Sequence, residues 1–216
     1  MIPRLQLTTL IGIAALIWAF FLLISGFPLT KEFFDPFSKV IGVLVIVLFI
    51  FDKWLWKFPI LHPWFVSFPD ISGTWKGKII SSWIDDETGE QIEPIDAFLV
   101  IHQTFSSINI QMITHESKSD LLTGNFILNG TNTKKIAGIY NNVPNLLSRE
   151  KSPIHYGGLL LEIHTAGSEN LEGEYWTGRN TKGILKFDLR VNKIFDNFDS
   201  ALTNFQGLYL TQSDNE

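Results

Sequence analysis

Residues 171–191 read LEGEYWTGRNTKGILKFDLRV. Leu171, Gly173, Tyr175 and Thr177 alternate with Glu172, Glu174 and Trp176. After Arg179-Asn180-Thr181-Lys182, Leu185, Phe187 and Leu189 alternate with Lys186, Asp188 and Arg190. A side-chain period of two marks a strand with one buried face. The Gly, Arg, Asn and Thr between the runs supply the backbone freedom and local hydrogen bonding of a hairpin turn. The stretch therefore predicts two antiparallel strands with an apolar inner face. Tyr175, Thr177 and Arg179 are polar exceptions gathered at one end of it.

Working outward, the same pattern recurs back to Gly73. The segments are Gly73–Ile84, Ala97–Phe105, Ser107–His115, Leu121–Asn129, Lys135–Val143, Ile154–Thr165, Leu171–Gly178 and Gly183–Val191, separated by turn chemistry such as Asp85-Asp86-Glu87-Thr88-Gly89, Asn129-Gly130 and Ala166-Gly167-Ser168. No helix-period stretch interrupts them. Eight strands joined by successive hairpins form a meander that removes its edges by closing on itself. The expectation over 71–191 is an all-β, eight-stranded antiparallel up-and-down barrel, whose interior has room for side chains or one small ligand.

Upstream the character changes. Leu5 to Ile24, LQLTTLIGIAALIWAFFLLI, carries no charge, and neither does Val40 to Phe51, VIGVLVIVLFIF. A helix needs about 20 apolar residues to cross a bilayer. The first run meets that length alone, and the second reaches it with its flanks. Residues 1–58 are read as a two-helix transmembrane hairpin. A cleaved signal peptide is the alternative for 1–24, but the run exceeds a usual apolar region and a second follows at once. Arg4, Lys53 and Lys57 outside the spans, against Lys31 and Lys39 balanced by Glu32 and Asp35 between them, place both termini and the barrel in the cytoplasm. Trp18, Trp54, Trp56 and Trp64 partly fit interfacial anchors. Residues 59–70, PILHPWFVSFPD, form a proline- and aromatic-rich connector that ends the helical pattern. The tail, 192–216, has Ile194, Phe198, Leu202, Phe205 and Tyr209 at helical spacing. It is read as an amphipathic helix packed on the barrel, with a membrane or protomer contact as the alternative.

Composition narrows the chemistry. A net charge of −5 argues against a DNA- or RNA-polymer face, which needs clustered Lys and Arg. No cysteine is present, which removes disulfides, thiolate metal sites and Cys nucleophiles. His102, His115, His155 and His164 lie on strands without metal-ligand spacing, so no metal is assigned. No phosphate-binding loop, nucleophile elbow or paired catalytic carboxylates occur in a recognisable frame, so the chain is read as non-enzymatic, with no catalytic residue and no cofactor.

Two resemblances add to this. Gly73-Thr74-Trp75 resembles the Gly-X-Trp opening of lipocalin- and avidin-like barrels. The resemblance implies that Arg190 covers the Trp75 ring as a cation–π plug at one barrel end. It also supports an alternative function, a membrane-anchored barrel carrying a lipid or other small hydrophobic ligand.

The second covers nearly the whole chain. Two close apolar spans, an aromatic–proline connector, PDISGTWKG at 69–77 and EGEYWTGRNTKG at 172–183 resemble the two-transmembrane, β-strand-rich effectors of bacterial cyclic-oligonucleotide antiphage defence (CBASS). The resemblance implies a barrel that binds a cyclic dinucleotide made on phage infection. It further implies self-association in the inner membrane, membrane disruption and death of the infected cell. The partners so implied are a cyclic dinucleotide, the lipid bilayer and, on activation, further copies of the chain.

A cyclic dinucleotide presents two phosphates and two flat bases, so its site needs cationic or hydroxyl donors and stacking planes. The candidates are Thr177, Arg179, Asn180 and Lys182 at the last hairpin, with Tyr175, Tyr140 and Tyr156 as aromatic or hydroxyl donors beside Gly138, Gly157, Gly158, Gly178 and Gly183. The competing reading makes Arg179 and Lys182 solvated turn residues and the tyrosines core. Trp75 is assigned a structural role, and Trp176 is expected to face outward.

Overall fold

The computed structural model describes residues 4–24, 35–84, 88–128, 134–164 and 169–213. They form two units. The first holds the described residues up to Pro69 with Thr104–Ser106; the second holds Asp70–Gln103 and the described residues from Ser107 onward.

In the first unit, α1 spans Arg4–Ile24 and α2 spans Asp35–Lys53. Side chains are described for 12–20 and 23–24 of α1 and from Ile41 onward in α2. Among the described residues no helix is long and apolar enough to cross a membrane. Much of the two-span expectation lies on residues whose side chains fall outside the described set. Single 3₁₀ turns at Leu55–Lys57 and Pro59–Leu61 follow. The connector closes into an aromatic knot. Trp56 lies 5.6 Å from Phe68, while Phe51 packs edge-on to Phe65 at 5.5 Å and to Phe105 at 4.9 Å. Trp54 and Trp64 are exposed, but Trp56 is fully buried. It is a core residue of the connector, because its ring has Phe68 to pack on and its carbonyl accepts from His62 at 3.0 Å.

The second unit is a closed antiparallel barrel in the order β1 to β8, with β8 returning to pair with β1. The strands are β1 Gly73–Ser81, β2 Ile95–Gln103, β3 Ile108–Ile113, β4 Ser117–Ile127, β5 Lys134–Pro144, β6 His155–His164, β7 Asn170–Thr177 and β8 Lys182–Val191. The eight-stranded expectation matches this architecture. Alternation fills the interior with Trp75, Ile79, Leu99, Ile101, Ile136, Leu161, Leu171 and Phe187, all buried.

Two bulges reset the faces. On β4 the register steps from Leu121 opposite Tyr140 to Thr123 opposite Ile139, leaving Leu122 as the extra residue. On β8 it steps from Phe187 opposite Gly77 to Leu189 opposite Lys76, leaving Asp188 extra. One extra residue reverses the parity of everything beyond it. Leu189, expected inside, is therefore exposed, whereas Arg190 turns to the barrel end.

That end is closed as the barrel resemblance implied. The Arg190 guanidinium lies over the Trp75 ring, 5.4 Å from its centroid. Its Nε and one terminal nitrogen donate to the Ser72 carbonyl at 3.0 and 2.7 Å, and the other donates to Glu169 at 3.0 Å. The Trp75 indole donates to the Ile71 carbonyl at 2.9 Å.

Helix α3, Phe198–Ser213, covers the outer face of β2. Phe98 points outward into a satellite core with Phe195, Ala201 and Phe205. The tail thus packs on its own barrel. Ile194 is exposed and precedes the helix, and Phe195 takes the buried place instead. The side chain of Tyr209 lies outside the described residues.

Candidate functional site

The end opposite Trp75 is formed by the residues joining β1–β2, β3–β4, β5–β6 and β7–β8. Here the apolar interior turns polar. Tyr140 of β5 and Tyr175 of β7 point inward and are buried. Their rings fit because glycines face them. A Cβ on Gly157 would stand 2.5 Å from the Tyr140 hydroxyl oxygen, and one on Gly183 would stand 2.6 Å from the Tyr175 ring. Burial raises both phenols above their ordinary pKa, Tyr140 strongly, so both are neutral hydroxyl donors at physiological pH. For Tyr140 the neighbouring Tyr175 adds to the rise and the Arg179 charge opposes it; for Tyr175 a hydrogen bond from Ser81 opposes it.

Beside them the Asn142 side-chain amide donates to the hydroxyls of Ser117 at 3.1 Å and Ser119 at 2.8 Å. Tyr140, Tyr175 and Ser119, with Leu99, Ile110, Met112, Leu121, Leu159 and Leu185, line an interior cavity of about 20 Å3. That volume suits about one water. Drug-sized ligands occupy pockets of roughly 300 Å3 or more, so neither a dinucleotide nor an acyl chain fits inside the barrel as it stands. The rim of this end, its mouth, carries exposed polar groups.

The mouth is set by the β7–β8 turn. Asn180 takes a left-handed backbone, φ 61°, which Asn tolerates better than most residues. The Thr177 hydroxyl accepts from the amides of Arg179 at 3.2 Å and Thr181 at 3.3 Å. Gly178 donates its amide to the Tyr156 carbonyl at 3.1 Å, tying the turn to β6. Arg179 is exposed, with one guanidinium nitrogen donating to the Ser152 hydroxyl at 3.3 Å. The loop carrying Ser152 also brings the exposed cations Arg149 and Lys151. His155, at the start of β6, has its pKa lowered by burial first and then by the Arg179 charge, against a backbone hydrogen bond to Pro153 that raises it.

The structure therefore brings Thr177, Arg179, Asn180, Tyr175 and Tyr140 to one end of the barrel. Lys182 and Tyr156 are placed differently. Lys182 is exposed opposite Trp176, on the outer wall. Tyr156 is 65 % exposed and follows the outward parity of β6, so its carbonyl, not its ring, serves the mouth. Ser81, Ser119, Asn142 and His155 belong to this polar end without having been singled out for it. Extending period two along β5 from Tyr140 reaches Asn142, and along β6 from Gly157 reaches His155. Ser119 lies beyond the Leu122 bulge, where counting from the later part of β4 gives the wrong face. Among the described residues no group of three or more His, Asp and Glu side chains is placed to hold a metal.

Comparison with known proteins decides the family. The model for the Cap15 cyclic dinucleotide receptor domain matches residues 66–189, more than half of the chain. The chain belongs to this family. The match runs from the connector into β8 and so takes in every strand end that builds the mouth. CD-NTase-associated protein 15 of Staphylococcus schleiferi is 27 % identical over 161 residues, 74 % of this chain and 80 % of that protein. Its namesake from Escherichia albertii is 26 % identical over 198 residues, 83 % of this chain and 91 % of that protein. The resemblance drawn from PDISGTWKG and EGEYWTGRNTKG agrees with this membership.

Proposed function

We propose that this chain is a membrane-anchored cyclic-dinucleotide receptor and effector of CBASS antiphage defence. The observation that carries the reading is the receptor-family match over a barrel whose polar, cationic mouth sits on an interior too small for a ligand. Arg179 takes a phosphate through its planar fork of donors. Tyr140 and Tyr175 offer neutral hydroxyls behind it, and Thr177 and Asn180 hold the turn. Net charge −5 does not oppose this, since the local cations Arg179, Arg149 and Lys151 face the same end.

Helices α1 and α2 anchor the barrel as a two-span hairpin in the bacterial inner membrane, with both termini and the barrel in the cytoplasm. Ligand binding drives self-association of the chain and disruption of the membrane, killing the infected cell. A single hairpin encloses no pore, because backbone groups in lipid stay satisfied within helices; disruption therefore requires several copies. The chain acts by binding rather than catalysis. The lipid-carrier alternative loses ground to the cavity of about 20 Å3.

Calorimetric titration of the full-length protein in detergent with a panel of cyclic dinucleotides tests the reading. Saturable binding of at least one, with an increase in particle mass on binding, is expected. A panel that gives no binding overturns it.

A further inference from the structure

Outside the mouth, the outer wall of β5 to β8 carries an apolar patch without a partner among the described residues. Ile139, Tyr156, Trp176 and Ile184 are each about half exposed or more. They are neighbours through the ladder, with Ile139 opposite Gly158, Gly158 opposite Trp176, and Glu174 opposite Ile184. The Trp176 indole packs over Gly158, where a Cβ would come within 2.4 Å of the ring, and Trp176 is still 53 % exposed. An exposed aromatic centre with charged residues around it is the anatomy of a protein interface.

Two exposed charges choose the occupant. Glu174 and Lys182 flank Trp176 on β7 and β8, and neither has an ion-pair partner among the described residues. A two-fold axis makes every contact reciprocal, residue i of one copy on residue j of the other and j on i. An axis passing between Glu174 and Lys182 sets Glu174 of each copy against Lys182 of the other, twice. The other charges of the wall are mixed, with Glu162 paired to Lys135 and Glu172 opposite Lys186, so it presents no basic patch to an anionic bilayer. We propose that the β5–β8 wall around Trp176 is a self-complementary contact surface for a second copy of this chain, closed by reciprocal Glu174–Lys182 pairs. This rests on the self-association reading above and gives it an address: Trp176 directly precedes Thr177–Arg179, so the contact surface and the mouth share β7.

The chain has no cysteine, so an introduced one reports its own position. Full-length Ile184→Cys and, as control, Asn109→Cys on the exposed outer wall of β3 are treated in detergent with a short bismaleimide, with and without the cyclic-dinucleotide panel. At least tenfold more cross-linked dimer is expected from Ile184→Cys. Adding Glu174→Lys should reduce that yield severalfold, and Glu174→Lys with Lys182→Glu should restore it. Equal yields at both positions, no cross-linking at either, or a double reversal no better than the single one overturns the proposal. Calorimetry on the same variants keeps the two readings apart. Ligand binding without an Ile184 cross-link rejects the contact surface, whereas cross-linking with no ligand bound by any variant counts against the receptor reading.

Discussion

Arg190 reaches the face of Trp75, 5.4 Å from the ring centroid, because Asp188 is one residue too many for the β1–β8 ladder. Strict alternation would put Leu189 inside and Arg190 in solvent. The bulge exchanges them and gives the barrel a charged lid. The Arg190 side chain is only 17 % exposed, so its hydrogen bonds to Ser72 are shielded from water. Arg190→Ala should cost about 1–3 kcal/mol from the cation–π contact and charge-assisted hydrogen bonds together. Deleting Asp188 should cost less at this end, since it removes only the surplus residue and leaves Leu189 opposite Lys76 and Arg190 opposite Trp75 in a regular ladder. Denaturant midpoints of the two variants, read against wild type, check both; an Arg190→Ala midpoint equal to wild type would remove the lid from the account.

At the mouth, Arg179→Ala should weaken cyclic-dinucleotide binding by more than tenfold, about 1.4 kcal/mol. Arg179→Lys should recover part of that loss, as a point charge replaces a fork of donors. Stability should stay close to wild type, because the guanidinium is exposed and its Ser152 partner lies on a surface loop. Titration calorimetry distinguishes this from an idle turn residue, for which affinity would not move.

His155 gives the site a pH signature. Its folded pKa lies below the ordinary value, mainly through burial, so folding releases a proton. Its contribution to stability is complete above the unfolded value of about 6.5 and is lost as pH falls toward the folded pKa. A bound phosphate near Arg179 acts in the opposite sense and raises the imidazole pKa. Binding should therefore take up protons, with affinity rising by less than tenfold per unit as pH drops from 8 to 6. Calorimetry in buffers of different ionisation enthalpy measures the uptake, and His155→Gln should abolish it. Proton release on binding would contradict the placement.

The C-terminal helix should behave as part of the barrel. Phe205 stacks on Phe98 at 5.5 Å, and Phe198 meets Phe98 edge-on at 5.2 Å. Phe205→Ala should cost about 3–5 kcal/mol, the usual range for emptying a buried aromatic position, and should make residues 198–213 sensitive to protease. A helix resistant to protease after that change would show that Phe205 is not its anchor.

Most of the barrel could be read from residues alone, because period two is repeated eight times with turn chemistry between. The segment 171–191 predicts both its strands and the end on which polar side chains gather. What escaped was set by single residues. Asp188 and Leu122 have no composition that marks them as bulges; they are surplus only against a partner strand, which sequence order does not display. Lys182 stood beside Arg179 in the turn, yet adjacent strand residues face opposite sides, and it belongs to the outer wall with Trp176. The polar end was partly legible through Tyr140, Tyr175 and Thr177. Ser81 and Asn142 join it through cross-strand neighbours that lie far away in the chain.

Closure of the ladder from β8 back to β1 limits how copies can meet. A sheet with a free edge can recruit the next molecule through backbone hydrogen bonds, and such growth has no natural end. This barrel has no such edge to offer, so any meeting between barrels is written in side chains. Contacts of that kind carry a definite geometry, saturate at a fixed number of neighbours and come apart again when the signal is withdrawn.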